Sequence, residues 1–206
     1  LFPVLERVAY LNAGTFGPLA RPTFEAIEAQ LRADLEEGRL GKAYFERIFE
    51  LRGRLRAAIG SLVAVAPEQV ALTGSTTDGC NLVLGGLGVG PDDEIVITSE
   101  EHFGLTGPVQ ASGARVVVAE ADPDAILAAV TPRTRLLAVS HVLWTSGRVL
   151  PVHELRAQTG IPILVDGAQS VGAIPVDANG LDFLTISGQK WLCGPDSTGA
   201  LVVADP

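Results

Sequence analysis

A lysine and an aspartate in the second half of the chain are the side chains best suited to covalent chemistry. Lys190 follows the short apolar run at residues 183–186, and Asp166 ends another apolar run at 161–165. Both runs are typical of buried parallel strands, whose carboxyl ends hold ligands in open α/β sheets. Burial disfavours the ammonium form of a lysine and leaves an amine that attacks an aldehyde carbon. The pattern therefore predicts a Schiff base at Lys190.

The carboxylate of Asp166 supplies a second requirement of this chemistry. An ionised carboxylate holds a pyridine nitrogen protonated, and a protonated ring is the better electron sink. The two residues thus have the spacing of a pyridoxal phosphate site. An aspartate that merely caps the following segment, 167–170, is the alternative for Asp166, and the presence of Lys190 downstream favours the cofactor.

A phosphate-binding turn is predicted at residues 73–78, Thr-Gly-Ser-Thr-Thr-Asp, where the first sheet strand gives way to a helix. Free amides at a helix start, with hydroxyls alongside, suit a dianion. The alternative is that Ser75, Thr76 or Thr77 only caps the helix, although capping and phosphate binding can coexist. The glycine patterns of a P-loop and of a dinucleotide turn are absent, which disfavours a nucleotide-binding domain.

A histidine follows another predicted strand. His102 is placed to lie flat against an aromatic cofactor ring, and the alternative is an ordinary loop histidine. Of the remaining two histidines, His141 ends a strand and its role stays open, whereas His153 falls on a predicted exposed helix.

Composition limits the class of protein. The chain has 206 residues, of which 47% are hydrophobic and 19% charged, and its net charge is −9. This balance predicts a globular protein and argues against nucleic acid as a partner. Two cysteines, Cys80 and Cys193, are too few for a disulfide scaffold and lack the spacing of a metal site, so we expect a cytoplasmic protein without a metal. No apolar run is long enough to predict a membrane span.

Periodicity predicts an α/β fold. Seven short apolar runs predict strands at residues 70–72, 95–97, 116–118, 136–139, 163–165, 183–186 and 200–203. Helix-compatible stretches lie between most of them, at 78–87, 105–112, 124–130 and 152–159. This alternation favours a mainly parallel sheet covered on both faces. Two amphipathic helices at 21–37 and 44–59 come first, so we expect an N-terminal helical segment, 1–60, packing on a large α/β domain, 61–206.

Several motifs resemble the class V aminotransferases of pyridoxal phosphate fold type I, which include cysteine desulfurases, selenocysteine lyases, and isopenicillin N epimerase-like and kynureninase-like enzymes. The matching segments cover nearly the whole chain: 10–14, 74–81, 101–102, 140–142, 147–151 and those around Asp166 and Lys190. The resemblance implies the three-layer α/β/α large domain of fold type I, with pyridoxal 5'-phosphate as the cofactor.

The resemblance also implies a role for each matching residue. Four residues would contact the cofactor ring: Lys190 as the Schiff base, Asp166 at the pyridine nitrogen, His102 stacked on the ring and Gln169 near the phenolic oxygen. The phosphate contacts would come from Thr76, Thr77, Ser187 and Gln189. The segment bordering the substrate would be Asn12, Ala13 and Gly14.

Two positions depart from the family pattern. Gln189 stands where many relatives have histidine, and it would hydrogen-bond phosphate without carrying charge, which predicts a lower phosphate affinity. Trp144 stands where desulfurase-like relatives have an asparagine that contacts cofactor or substrate. Cys193 lies three residues after Lys190, but the desulfurase nucleophile of the family belongs to a later segment, so we expect Cys193 to be structural.

The expected function is that of a pyridoxal phosphate-dependent enzyme, of the transaminase or C–S lyase/desulfurase type, in which Lys190 moves protons at the α-carbon of an amino acid. The alternative is a non-catalytic cofactor-binding or assembly module. The fold does not choose among transamination, elimination, racemisation and desulfuration. The resemblance further implies a homodimer and a small C-terminal domain. Because the chain has no methionine and stops soon after a strand-like run, we expect that small domain to be missing from it.

Overall fold

The computed structural model describes residues 1–205 and contains one seven-stranded sheet; Pro206, the last residue of the predicted large domain, lies outside the described residues. The strands are β1 Val70–Thr73, β2 Glu94–Thr98, β3 Arg115–Ala119, β4 Thr134–Ser140, β5 Ile163–Asp166, β6 Phe183–Ser187 and β7 Gly199–Val203. Their order in the sheet is β1-β7-β6-β5-β4-β2-β3. Only the two pairings of β7 are antiparallel among these strands. The predicted α/β class and mainly parallel sheet are confirmed.

Six α-helices accompany the sheet in the described chain: α1 Arg21–Glu36, α2 Gly41–Leu62, α3 Thr76–Leu87, α4 Phe103–Ala111, α5 Pro123–Ala129 and α6 Val152–Thr159. Each lies where a helix was predicted, with shifted ends. Helix α3 begins two residues before the predicted start because the Ser75 hydroxyl caps it, accepting a hydrogen bond from Asp78 N at 3.1 Å.

The sheet separates two apolar cores. Alternation along β4 sends Leu136 and Ala138 to the face covered by α3 and α4, and Leu137 and Val139 to the opposite face. That second face is covered by the end of α2 and by α5 and α6, which contribute Ile59, Ile126 and Leu155 among others. The predicted three-layer arrangement is therefore confirmed.

The chain reverses its direction across the sheet between β2 and β4. The connection through α4 carries β2 outward to β3 at the edge, and the connection through α5 crosses back over β2 to β4. Right-handed crossovers in opposite directions place their helices on opposite faces, as α4 and α5 are. Ligands of open α/β sheets bind outside the carboxyl ends of the strands at such a reversal. This edge is thus where a site is expected.

The first two helices bury few residues, and those lie near the C-terminus of α2. Helix α1 has no buried residue, and α2 buries Ile59 and Gly60, near its C-terminus. The packing of residues 1–60 on the large domain therefore stays a prediction for most of this segment. The apolar stripe of α1 consists of Phe24, Ile27, Leu31 and Leu35; Ile27 is half-buried and the other three are exposed, Leu35 at 85%. Within residues 1–205 no helix combines the length and apolar character that crossing a membrane requires.

Candidate active site

Asp166 closes β5 and is only 3% exposed. Leu164, two residues earlier, packs beneath α3 and α4, so alternation puts the Asp166 side chain on the same face of the sheet. Its register partner Thr185, on β6, lies on that face beside Gly79 of α3. The carboxylate Oδ1 accepts a hydrogen bond from Ala168 N at 2.8 Å. The capping geometry that was the alternative for this residue is therefore present at Oδ1.

Lys190, Asp166 and His102 lie close enough to perturb one another. Burial lowers the pKa of Lys190, and the negative charge of Asp166 partly offsets this. Burial raises the pKa of Asp166, against the opposing effects of the Ala168 amide and of the charges on Lys190 and His102. Burial also lowers the pKa of His102, with Lys190 adding to the effect. The fold thus brings together a reactive amine, a buried carboxylate and an imidazole held neutral.

The orientation of His102 is fixed by the start of α4. Its Nδ1 accepts a hydrogen bond from Gly104 N at 3.0 Å, so the imidazole itself is the N-cap of the helix. An Nδ1 that accepts leaves the proton of the neutral ring on Nε2. The ring of Phe103 lies against it with centroids 3.8 Å apart, and Trp144 meets it edge-on at 5.2 Å. Both aromatic neighbours are exposed, so His102 stands within an open aromatic cluster.

The predicted phosphate turn is the N-terminus of α3. Ser75 is the capping residue, and Asp78 Oδ2 accepts a hydrogen bond from Gly74 N at 3.0 Å. The first amides of the helix, at Thr76 and Thr77, have no partner within the helix and are free to bind an anion. Thr77 and His102 both approach Gly104: a Cβ built on Gly104 would lie 3.0 Å from Thr77 Oγ1 and 3.1 Å from His102 Nδ1.

The segment around Lys190 forms a compact loop between β6 and β7. Ser187, which is buried, donates its hydroxyl to the Gln189 side chain at 2.9 Å. Cys193 donates its amide to the Lys190 carbonyl and has a left-handed φ of +54°, which marks a tight turn. Burial raises the pKa of its thiol. The two predicted phosphate ligands of this loop, Ser187 and Gln189, are therefore joined to each other.

The N-terminal segment lies against this loop. Gln169 donates its side-chain amide to the Gly14 carbonyl at 2.9 Å and accepts a hydrogen bond from the Trp191 indole at 2.8 Å. Gly17 donates its amide to the Gln189 carbonyl at 2.7 Å. The structure thus brings the predicted substrate-bordering segment, Asn12, Ala13 and Gly14, next to Gln169. The roles predicted for these residues stay predictions.

Two placements were missed by the sequence. Glu101 accepts hydrogen bonds from Ser140 on β4 and Thr98 on β2, although no sequence motif marks it beyond its position before His102. His141, whose role was open, follows β4; burial lowers its pKa, and the charge of His153 on α6 acts in the same direction. Cys80, by contrast, is the small core residue of α3 that the predicted helix 78–87 suggests: it is fully buried, and burial raises the pKa of its thiol, with the charge of Asp166 acting in the same direction. Within residues 1–205 no cluster of His, Cys, Asp and Glu is arranged to hold a metal ion.

Comparison with known proteins gives a consistent family. The family model described as aminotransferase class-V matches residues 29–206. An isopenicillin N epimerase from Amycolatopsis lactamdurans is 33% identical, over 96% of this chain and 54% of its own length. A cysteine desulfurase from Klebsiella pneumoniae (strain 342) is 36% identical, over 97% of this chain and 55% of its own length. The chain therefore spans about half the length of the curated relatives it matches.

Solved structures give the same picture. The cystine C-S lyase C-DES, in complex with its reaction product cysteine persulfide, is 34% identical and superposes with a TM-score of 0.92, covering 98% of this chain and 59% of that one. A lysine-to-alanine variant of C-DES with glycine covalently linked to the PLP cofactor superposes with a TM-score of 0.91 at 34% identity, covering 98% of this chain and 58% of that one.

Proposed function

Because this chain belongs to the class V aminotransferase family, we propose that it binds pyridoxal 5'-phosphate at Lys190 and acts on an amino acid. The observation that carries the proposal is the convergence of Lys190, Asp166 and His102 at the strand reversal, each with a pKa shifted by burial and by its neighbours. Perturbed titratable groups gathered in such a place are the usual sign of a catalytic site. The relatives named above are all called enzymes, which gives no support to a non-catalytic module.

The residues present suit this cofactor chemically. Asp166 is a buried carboxylate, and a buried carboxylate requires a cationic partner, which a protonated pyridine nitrogen supplies. The free amides at the start of α3, with the hydroxyls of Thr76 and Thr77, suit a phosphate dianion. The lowered pKa of Lys190 favours the neutral amine that an aldehyde needs. When bound, the cofactor supplies an electron sink for bonds broken at the α-carbon of an amino acid.

The protein side of the reaction consists of holding and moving protons. Lys190 Nζ is the base we assign, because burial lowers its pKa toward the range in which an amine both accepts and releases a proton. Asp166 holds a positive charge on its ring partner. The His102 Nδ1 is occupied by Gly104 N, so this imidazole supplies an uncharged flat surface and is not the base. Because this imidazole is uncharged, Asp166 is the residue whose charge would hold the pyridine nitrogen of a bound cofactor.

We assign the reaction to C–S bond cleavage ahead of transamination. The support is that both solved structures named above are of the cystine C-S lyase C-DES, together with the cysteine desulfurase relative. The substrate we propose is accordingly a sulfur-containing amino acid. Expected on this assignment is release of sulfide or persulfide when the loaded protein is mixed with cysteine or cystine, and none with alanine.

The cofactor assignment is directly testable because the sequence contains only two lysines, Lys42 and Lys190. Lys42 is exposed on α2 and pairs with Glu46 on the same helix, far from the strand ends that form the site. The purified protein is mixed with pyridoxal phosphate, its visible absorption recorded, the complex reduced with borohydride, and the adduct located by peptide mass spectrometry.

A single adduct on Lys190 is expected in the wild type and in Lys42→Arg, and none in Lys190→Arg. An adduct divided between Lys42 and the N-terminal amine, with no visible band, would contradict the proposal. Asp166→Asn is expected to keep the adduct but to weaken cofactor binding and to alter the absorption spectrum, because the ring would lose its anionic partner. An unaltered spectrum in that variant would remove Asp166 from its assigned role.

A further inference from the structure

The ladder between β2 and β4 ends before the strands do. Its register runs from Glu94 opposite Thr134 to Val96 opposite Leu137 and is not continued beyond them. On either side the ladders go further: β2 stays paired with β3 as far as Thr98, and β4 stays paired with β5 as far as Ser140. The hydrogen-bonded ladder between the two central strands therefore stops short of their carboxyl ends, at the reversal where the site lies.

The carboxylate of Glu101 lies where the ladder stops and accepts hydrogen bonds from both strands. Ser140 N donates to both of its oxygens, at 3.1 Å to Oε1 and 3.0 Å to Oε2, and Ser140 Oγ donates to Oε2 at 2.5 Å. Thr98 Oγ1 donates to Oε1 at 2.6 Å. Each oxygen thus receives two donors, which matches the acceptor-only capacity of an ionised carboxylate. Glu101 therefore does for Ser140 N what a neighbouring strand would otherwise do.

The Glu101 carboxylate links the backbone beside His102 to the backbone beside Asp166, the two residues that would lie on either side of the proposed cofactor ring. Glu101 directly precedes His102 in the chain, so the backbone that enters α4 is tied to β4 through the carboxylate. Ser140 is the register partner of Asp166, and the Asp166 carbonyl accepts a hydrogen bond from the following amide, His141 N, at 3.0 Å. The His102 imidazole and the Asp166 carboxylate are thereby connected beyond the point where the ladder between β2 and β4 ends.

We propose that Glu101 is a positioning residue that replaces the missing ladder between β2 and β4 and so sets the distance and orientation of His102 relative to Asp166. The effect of Glu101 on cofactor binding rests on the proposed function, whereas its effect on the position of His102 does not. Burial raises the pKa of Glu101, and the charge of Asp166 acts in the same direction, while the three donor groups, Ser140 Oγ, Thr98 Oγ1 and Ser140 N, oppose the rise.

The chain offers a matched control at the other end of the same strand. Glu94, at the start of β2, is also a buried carboxylate and is 1% exposed. It accepts hydrogen bonds from Thr131 Oγ1 at 2.5 Å and from the Arg133 guanidinium at 2.7 and 3.1 Å, and it pairs with Arg115 at 3.1 Å. Glu94→Gln disturbs the same strand without touching its carboxyl end. Any effect of Glu101→Gln beyond that of Glu94→Gln is therefore specific to the site.

The first measurement uses the protein without added cofactor. The sequence has three histidines, His102, His141 and His153, so the imidazole nitrogens of protein labelled with ¹⁵N-histidine resolve individually by NMR. In the wild type we expect the His102 ring to be protonated on Nε2, as its hydrogen bond from Gly104 N requires. In Glu101→Gln we expect the His102 signals to shift or broaden, while those of His141 and His153 stay as they are in Glu94→Gln.

The second measurement is the dissociation constant of pyridoxal phosphate. At equal thermal stability, Glu101→Gln is expected to bind roughly tenfold more weakly than Glu94→Gln, the lower end of what a lost supporting contact costs a site. Glu101→Asp should recover part of the loss because the charge returns. Unchanged His102 signals and an unchanged dissociation constant relative to Glu94→Gln would overturn the inference.

Two milder variants keep the test decisive where Glu101→Gln does not fold. Ser140→Ala and Thr98→Val each remove one hydroxyl donor and leave the carboxylate and the Ser140 amide in place. Both are expected to move the His102 signals in the same direction, and His102 signals identical to wild type in both would refute the positioning role. A wild-type protein that forms no adduct at Lys190 would instead refute the proposed function, while the histidine spectra would still decide the role of Glu101.

Discussion

The tightest contact of the N-terminal segment gives the sharpest prediction. A Cβ added to Gly17 would lie 2.1 Å from the Lys190 carbonyl oxygen and 2.9 Å from Cys193 Sγ. Ordinary contact begins at 3.4 Å, so Gly17→Ala forces the two backbones apart by about 1.3 Å. The hydrogen bond from Gly17 N to the Gln189 carbonyl, now 2.7 Å, cannot survive that separation.

The cost follows from these two losses. Overpacking of this kind costs about 1–3 kcal/mol and a lost backbone hydrogen bond about 1 kcal/mol, so roughly 2–4 kcal/mol is expected. For a chain of this size the melting temperature should fall by roughly 5–15 °C if the segment stays attached. A displacement of about 1 Å at a reacting group also slows its chemistry by up to about a hundredfold. The rate at which Lys190 captures pyridoxal phosphate should therefore fall as well.

The control is a glycine with free space around it. A Cβ added to Gly53, inside α2, would have nothing within 4 Å, and Gly53→Ala should stabilise the protein by about 0.5–1 kcal/mol through helix propensity. Thermal unfolding, limited proteolysis of residues 1–20 and stopped-flow absorption provide the assays. A Gly17→Ala protein that equals the wild type in melting temperature, in protease resistance and in capture rate would refute the contact and the reasoning built on it.

Three further predictions concern ionisation and exposure. Since burial lowers the pKa of Lys190 below its usual 10.5, the rate at which Lys190 captures pyridoxal phosphate should rise with pH and level off below pH 10.5. In Asp166→Asn the rate should level off at a lower pH, because the negative charge that raises the pKa of Lys190 is gone. Stopped-flow absorption giving the same midpoint for both proteins would contradict this. The Thr131 hydroxyl, followed by nearby arginines, lowers the pKa of Glu94 below its usual 4.5. The stabilisation of the folded protein by this carboxylate is therefore complete above pH 4.5 and is lost as the pH falls through the lower pKa of the folded state. Urea unfolding should show the stability difference between wild type and Glu94→Gln shrinking in that range, and a constant difference down to about pH 2 would be inconsistent with this. Iodoacetamide should modify Cys193 slowly and leave buried Cys80 intact, and mass spectrometry showing Cys80 modified first would disprove this order.

The sequence predicted those features that depend on neighbouring residues. Each apolar run became a strand because a buried strand needs little more than a short β-branched or aliphatic stretch. Asp166 and Lys190 were placed at the carboxyl ends of strands because Asp166 directly follows one such run and Lys190 comes four residues after the end of another. The capping role of Ser75 was among the alternatives from the start, since helix starts have a local signature.

Other features depend on pairings that no local pattern contains. The partner of Gln169 is Gly14, which is far away in the sequence and adjacent only once the fold is complete. The bridge at Glu101 exists because the ladder between β2 and β4 stops early, and periodicity indicates that a strand exists without indicating where its pairing ends. The spacing of apolar residues on α1 likewise predicted a helix correctly but not the exposure of its stripe.

The place of β7 in the sheet has a consequence for how the chain folds during synthesis. Within residues 1–205, strand β1 joins the sheet only through β7, with Val70 opposite Val202, so the first of these seven strands to be made pairs only after the seventh. Closing so long a loop is slow and leaves an unpaired strand exposed in the meantime. Helix α3 follows β1 directly, and its N-terminus is therefore anchored late. A ribosome-bound chain synthesised as far as β6 would already contain Asp166, but the phosphate turn at the start of α3 would not yet be anchored to the sheet. Binding of the cofactor would therefore indicate that β7 has joined the sheet.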